Sequence, residues 1–183
     1  MKRAIMAMMA AFMAAAPLYA AQAAIAADEK IDPATYICAQ FVASAIDGQP
    51  PIFEALQLDG YAAAKSGHVV ADPNSLETIM LGVYDSCSAK PGDKAIEHWQ
   101  LARRQLPFLD EGAWRADVTK CADYKANPDD GSGFVIWLDG YQRGKTGKDA
   151  SVFADQASLD NFIAVCQSSP GRLMFDVMVE NAK

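Results

Sequence analysis

Two stretches of this sequence resemble each other, and each is built around the tetrapeptide Leu-Asp-Gly-Tyr. The tetrapeptide occupies residues 58–61 and again residues 138–141. Each copy has one cysteine before it and one after it: Cys38 and Cys87 in the first copy, Cys121 and Cys166 in the second. A Pro-Gly pair follows the second cysteine in both copies. Because chance rarely keeps so many features in one order, the repeat predicts two tandem units of the same fold.

The four cysteines are predicted to form two disulfides. Paired cysteines are typical of exported proteins, and no two cysteines here have the short spacing of zinc ligands, so no metal site is predicted. Four cysteines allow three pairings. Duplicated units that each close on themselves would pair Cys38 with Cys87 and Cys121 with Cys166, and we expect this arrangement.

Apolar residues in both copies recur at the spacing of one helix face. In the first copy they run from Leu76 to Cys87 behind Asp72, a predicted N-cap, and in the second from Leu159 to Cys166 behind Asp155. The second segment is shorter by about one helical turn. Strand-like alternation is scarce. The predicted fold class is therefore all-α, with two tandem small disulfide-stapled domains of about four helices each.

Glycine in a helix allows another backbone to approach closely. The helices that carry Gly60 and Gly140 are therefore expected to face each other, in two units related by a pseudo-two-fold axis. The segment between the units contains Phe108 and Trp114. Flexible linkers are usually polar, so these two aromatic side chains are expected to pack near the junction.

The N-terminal residues 1–27 have the pattern of a secretory signal peptide. Lys2 and Arg3 precede an apolar run over residues 4–16 that is closed by Pro17, and the run is shorter than the ~20 apolar residues of a membrane-spanning helix. Small residues offer three cleavage positions: Ala20, Ala23 and Ala26. We expect the first repeat over residues 28–104, a linker over 105–120 and the second repeat over 121–183, with no membrane span after cleavage.

The charge balance argues against nucleic acid as a partner. The chain has 16 Lys and Arg against 23 Asp and Glu, and cleavage would remove two cations and no anions. Binding a polyanion requires clustered cations, which neither half offers.

Groups suited to catalysis are scarce. The two histidines, His68 and His98, have no partner that the sequence identifies, and the cysteines are assigned to disulfides. The glycine spacing at residues 140–146 does not match a phosphate-binding loop. The sequence predicts no enzyme and no cofactor.

The second copy, residues 121–179, resembles the HdeA/HdeB family of periplasmic acid-stress chaperones. The resemblance rests on one cysteine on the first helix, another at the end of the third, and the segment Trp-Leu-Asp-Gly-Tyr at 137–141. The first copy has Gln57 where the second has Trp137. The resemblance implies ATP-independent binding of unfolded periplasmic proteins at low pH. Family members pair as homodimers, so two copies in one chain imply either a monomeric pseudo-dimer or a homodimer.

The composition supplies a mechanism for such a role, because protonation of the carboxylates in acid reverses the sign of the net charge. Clients would then bind to apolar surfaces exposed by acid: Ile52, Phe53 and Leu56 in the first copy, and Phe134, Trp137, Leu138 and Tyr141 in the second. The alternative is a periplasmic immunity-type or inhibitor protein that binds one specific native partner at neutral pH.

Overall fold

The computed structural model describes residues 30–183, and this part of the chain is all-helical. The predicted signal peptide, residues 1–27, lies outside the described residues. The first unit contains four helices: α1 (Cys38–Ala43), α2 (Ile52–Ser66), α3 (Pro73–Ala89) and α4 (Ala95–Arg104). The second contains α5 (Cys121–Ala126), α6 (Pro128–Thr146), α7 (Gln156–Ser168) and α8 (Met174–Asn181), with a short 3₁₀ turn at Val152–Ala154. None of the described helices is long and apolar enough to cross a membrane.

Each unit is closed by its own disulfide. Cys38 pairs with Cys87, and Cys121 pairs with Cys166, so α1 is tied to α3 and α5 to α7. This is the predicted pairing. The two disulfides indicate an oxidising, extracytoplasmic compartment, because thiols in reducing compartments are kept unpaired.

The repeat extends to individual backbone hydrogen bonds. The amide of Cys38 donates to the carbonyl oxygen of Asp93 at 2.8 Å, and the amide of Cys121 donates to Arg172 at 2.9 Å. The next residue in each unit also bonds to a Pro-Gly turn, since Ala39 donates to Pro91 and Ala122 donates to Pro170. The two copies thus share local structure, which is compatible with the predicted pseudo-two-fold relationship.

The third helix of each unit begins at the predicted cap. The carboxylate of Asp72 accepts the backbone N–H groups of Asn74 and Ser75, and that of Asp155 accepts the N–H of Ser158. These bonds satisfy donors that have no partner inside the helix. The helices have 17 and 13 residues, so the second is one turn shorter, as the cysteine spacing predicts.

Helices α2 and α6 pack against each other backbone to backbone, and this contact is called the junction below. A Cβ atom added at Gly60 would overlap the carbonyl oxygen of Trp137, and one added at Gly140 would overlap the carbonyl oxygen of Gln57. At Gly144 a Cβ atom would lie 2.7 Å from the carbonyl oxygen of Tyr61. Only glycine allows so close an approach. The prediction that the Gly60 and Gly140 helices face each other is therefore confirmed.

The connecting segment pairs in a short antiparallel bridge with residues 69–71, between α2 and α3. Ala71 donates its amide to Trp114 at 3.0 Å, and Ala116 donates to Val69 at 2.9 Å. Trp114 stacks on Phe134 of α6 with ring centroids 5.3 Å apart. Phe108 stacks on the buried His68 at 4.4 Å but remains 65% exposed. Trp114 thus packs against α6 beside the junction, as predicted, whereas Phe108 covers the end of α2 and is largely exposed.

Candidate functional site

Asp59 lies at the centre of the junction and is fully buried. Its carboxylate accepts the indole N–H of Trp99 at 2.9 Å and that of Trp137 at 2.8 Å. It also accepts two N–H groups of Arg103, from Nε at 2.8 Å and from Nη2. Trp137 belongs to the second unit and the other partners to the first. The carboxylate therefore joins the two units and neutralises a guanidinium that is 2% exposed.

Arg143 is a second buried cation of the junction, also 2% exposed. Its Nη1 donates to the carbonyl oxygen of Ile31 at 2.6 Å and to Oε1 of Gln57 at 3.3 Å. Its Nη2 donates to Asp149, and the carboxylate of Asp32 lies 3.8 Å away. This arginine therefore joins α6 to α2 and to the N-terminal segment of the described chain. Its charge is balanced by carboxylates that reach the surface.

Asp139 holds the position in the second tetrapeptide that Asp59 holds in the first, but its partners differ. It accepts the hydroxyl of Ser151 and the amide of Val152, both at 2.9 Å. Burial raises the pKa of Asp139 to about 6, although these hydrogen bonds and the charge of Arg143 act in the opposite direction. Asp139 is thus a buried carboxyl group without a directly bonded cation.

Replacing Asp139 with asparagine should stabilise the protein at pH 8 by up to about 3 kcal/mol. The ionised carboxyl is penalised by burial above a pH of about 6, and the amide is neutral at every pH. The gain should shrink as pH falls through 6 and disappear near 4, where the unfolded carboxyl also takes up a proton. Denaturant unfolding of both proteins between pH 4 and 8 measures this. A difference that stays constant over this range would contradict the prediction.

A ladder of aromatic rings runs from the connecting segment into the second unit. Its steps are Trp114 to Phe134 at 5.3 Å, Phe134 to Trp137 at 5.8 Å and Trp137 to Tyr141 at 5.1 Å, all within 30° of parallel. The first three rings form one wall of a cavity of about 220 Å³ between the units. Leu56, Leu76 and Asp59 of the first unit also line it.

The residues predicted to bind clients are distributed unequally between core and surface. Phe134, Trp137, Leu138 and Tyr141 are buried, whereas Phe53 and Leu56 are half-buried and Ile52 is 55% exposed. Three of the seven meet at the cavity: Leu56, Phe134 and Trp137. Phe53 instead contacts Phe153 of the second unit, with ring centroids 5.3 Å apart. In the folded protein the second-copy set is therefore core.

The charged residues of the junction were missed by sequence reasoning. Asp59, Asp139, Arg103 and Arg143 are all buried, although residues of these types are rarely buried unless paired. A signal was present, because the aspartate of the repeated tetrapeptide lies next to the glycine at which the two helices touch. Among the described residues, no group of three or more His, Cys, Asp or Glu is placed to hold a metal ion.

Comparison with known proteins gave no relatives for this chain: no protein-family model matches it, and no curated protein or solved structure is significantly similar.

Proposed function

We propose that this protein is a periplasmic, ATP-independent chaperone that opens in acid and holds unfolded proteins on its exposed apolar surfaces. The observation that supports this most directly is the pair of arginines buried at the junction, Arg103 and Arg143, each balanced by carboxylates. Guanidinium groups keep their charge at every pH that proteins meet. Carboxylates lose theirs in acid, so acid removes the compensating partner and leaves the buried cation.

The cost of an uncompensated buried charge is large compared with the stability of a small domain. Removing one partner of a buried ion pair typically destabilises a protein by about 3–5 kcal/mol, whereas total stability is about 5–15 kcal/mol. Arg143 bonds across the two units directly, and Arg103 is held by Asp59, whose carboxylate also accepts the indole N–H of Trp137 from the second unit. Acid should therefore weaken the contact between the units before it disrupts either unit.

The pKa values of five carboxyl groups lie below their ordinary range. In Asp72 and Asp149 partial burial would raise the pKa, but hydrogen bonds from Ser75 and Lys30, respectively, contribute to an overall lowering. In the others a hydrogen bond is the main cause: Arg115 to Asp117, Ser158 to Asp155 and Arg172 to Glu180. Lowered values mean that these groups stabilise the fold above the unfolded pKa, near 4, and lose that effect as pH falls further. The exposed groups among them contribute little each, because solvent screens their charge.

Asp139 has the opposite pH dependence. Because its pKa is raised to about 6, the penalty for burying its charge is relieved as pH falls from 6 towards 4. Mild acid therefore strengthens this part of the second unit, and the loss of the other carboxylates sets in only below about pH 4. The combined expectation is a protein that stays closed at mildly acidic pH and opens near pH 3.

Opening at the junction would expose the apolar side chains predicted for client binding. Phe134 and Trp137 are buried and line the cavity between the units, so they would become available if the units part. Both disulfides lie within a unit, so they permit this movement while limiting the unfolding of each unit. The resemblance of the second copy to HdeA/HdeB chaperones agrees with this proposal.

The proposal is tested by light scattering of an aggregating client protein at pH 3 and at pH 7, with increasing amounts of this protein. We expect scattering to be suppressed at pH 3 only, and an apolar dye titrated from pH 7 to 2 to bind below about pH 4. Arg143→Met should move dye binding to lower pH, because the variant has no buried cation at this position that acid could leave without a counter-charge. The partner carboxylates, Asp32 and Asp149, reach the surface and remain hydrated without the arginine. Arg172→Met, which removes an exposed ion pair with Glu180, is the matched control.

Unchanged scattering together with no rise in dye binding would refute the chaperone proposal. Capture of a single native partner at pH 7, lost in acid, would instead favour the immunity-type or inhibitor alternative.

A further inference from the structure

The cavity between the two units has the size of a small organic ligand. Its volume is about 220 Å³, whereas a cavity of roughly 150 Å³ in a protein core is enough to bind benzene. Its rim is partly open to solvent, because Pro73 is exposed and Trp114 and Leu56 are only half-buried. A compound of one or two rings therefore has both the space and a route to enter.

The lining of the cavity favours an aromatic ligand. Trp114, Phe134 and Trp137 stand as a stack, with successive interplanar angles of 29° and 19°. Aromatic rings attract a further ring either offset-stacked or edge to face. Leu56 and Leu76 add aliphatic side chains to the lining, so an inserted ring would meet mainly apolar atoms.

The charges around the cavity select against anions. The charged side chains that line it are Asp59 and Asp72, and a neighbouring hollow on the other side of Trp114 adds Glu111. Among the described residues lining either space there is no Lys, Arg or His. Arg103 lies behind Asp59 and is engaged by it, and the N-terminus of α3 is capped by Asp72. An anion would lose its hydration here without gaining a cationic partner.

We propose that this cavity binds a planar aromatic compound of one or two rings that carries no negative charge. The apolar rings supply the driving force for binding, and the selectivity comes from the carboxylate of Asp72 and from the lack of a cation among the lining residues. The site is complete in the closed protein at neutral pH. It therefore does not rest on acid-induced opening or on binding of unfolded clients.

Three probes that share one ring system test the selectivity: neutral 3-methylindole, cationic tryptamine and anionic indole-3-propionate. Each is titrated into the full-length exported protein at pH 7 by calorimetry, and the tryptophan indole signals are followed by NMR. We expect the neutral and cationic probes to bind with a dissociation constant on the order of 0.1–1 mM, as suits ligands of about ten heavy atoms. The anion should bind at least tenfold more weakly.

A filled cavity provides the second arm of the test. Gly133 lines the cavity on α6, and a Cβ atom there would lie 3.8 Å from Leu56. Gly133→Leu should therefore occupy the space without removing a core contact and should weaken binding of 3-methylindole at least tenfold. Gly82→Leu on α3 is the matched control, because a Cβ atom there meets nothing within 4 Å and this residue does not line the cavity. Thermal unfolding of both variants establishes that they are folded.

Equal binding of all three probes would overturn the charge argument. Binding that survives Gly133→Leu in a folded protein, or the absence of saturable binding by 3-methylindole, would overturn the site itself. If these tests succeed but the protein fails to suppress aggregation at pH 3, the ligand site stands and the chaperone proposal is refuted.

Discussion

Gly60→Ala should destabilise the protein by at least about 3 kcal/mol, at the upper end of what overpacking costs. The added methyl group would overlap the carbonyl oxygen of Trp137 and approach the amide of Tyr141. Both are backbone atoms, so no side-chain rotation relieves the overlap, and α2 and α6 would have to move apart. Denaturant unfolding at pH 7 measures the loss. An apolar dye should also bind the variant at neutral pH if the units separate.

The control for this substitution is Gly82→Ala on α3. A Cβ atom there has open space around it, and alanine is the better helix former by about 1 kcal/mol. This variant should be as stable as the wild type or more stable. Equal effects at the two positions would show that helix propensity, rather than contact between helices, determines the cost at Gly60.

Asp59→Ala should cost at least about 3–5 kcal/mol, because it leaves the buried guanidinium of Arg103 without its counter-charge. The indole N–H groups of Trp99 and Trp137 also lose their acceptor, and each unsatisfied buried donor adds a penalty of about 1–3 kcal/mol. The loss should appear in denaturant unfolding at pH 7. Because Trp137 comes from the second unit, its fluorescence should change together with stability.

Asp117→Ala serves as the comparison, since it removes a carboxylate that pairs with Arg115 at the surface. Exposed ion pairs contribute little to stability because water and salt screen them. We expect the unfolding midpoint of this variant to stay close to that of the wild type. If Asp59→Ala behaved in the same way, the buried network would not hold the junction and the proposed acid trigger would lose its basis.

The secondary structure and the disulfides followed from the sequence because both depend on local patterns. Helix-face spacing identified α3 and α7, and Asp72 and Asp155 were recognised as caps from their place before an apolar run. The cysteine pairing followed from duplication. Gly60 and Gly140 were recognised as the contact between helices, since a glycine repeated within an apolar helix has few other uses.

The sequence identified which residues of α2 and α6 are apolar, but it did not distinguish those that form the core from those that remain exposed. Periodicity marks an apolar face, but the same pattern describes a core residue and a residue that binds a client. Trp137 and Leu138 proved to be core, whereas Ile52 on α2 is largely exposed. Which of two apolar faces is covered depends on the partner helix, and that information is not local.

The sequence by itself determined that the chain is helical and which cysteines pair, because a repeat and a 3.6-residue period are both visible along one chain. Only the tertiary structure decided what the two repeated aspartates do. Asp59 accepts hydrogen bonds from Trp99 and Arg103. The corresponding positions of the second unit hold Met178 and Ala182, whose side chains have no N–H donor. Asp139 accepts hydrogen bonds from Ser151 and Val152 instead. Identical tetrapeptides therefore acquire different charge environments, because burial and electrostatic compensation depend on residues brought close in space from distant parts of the chain.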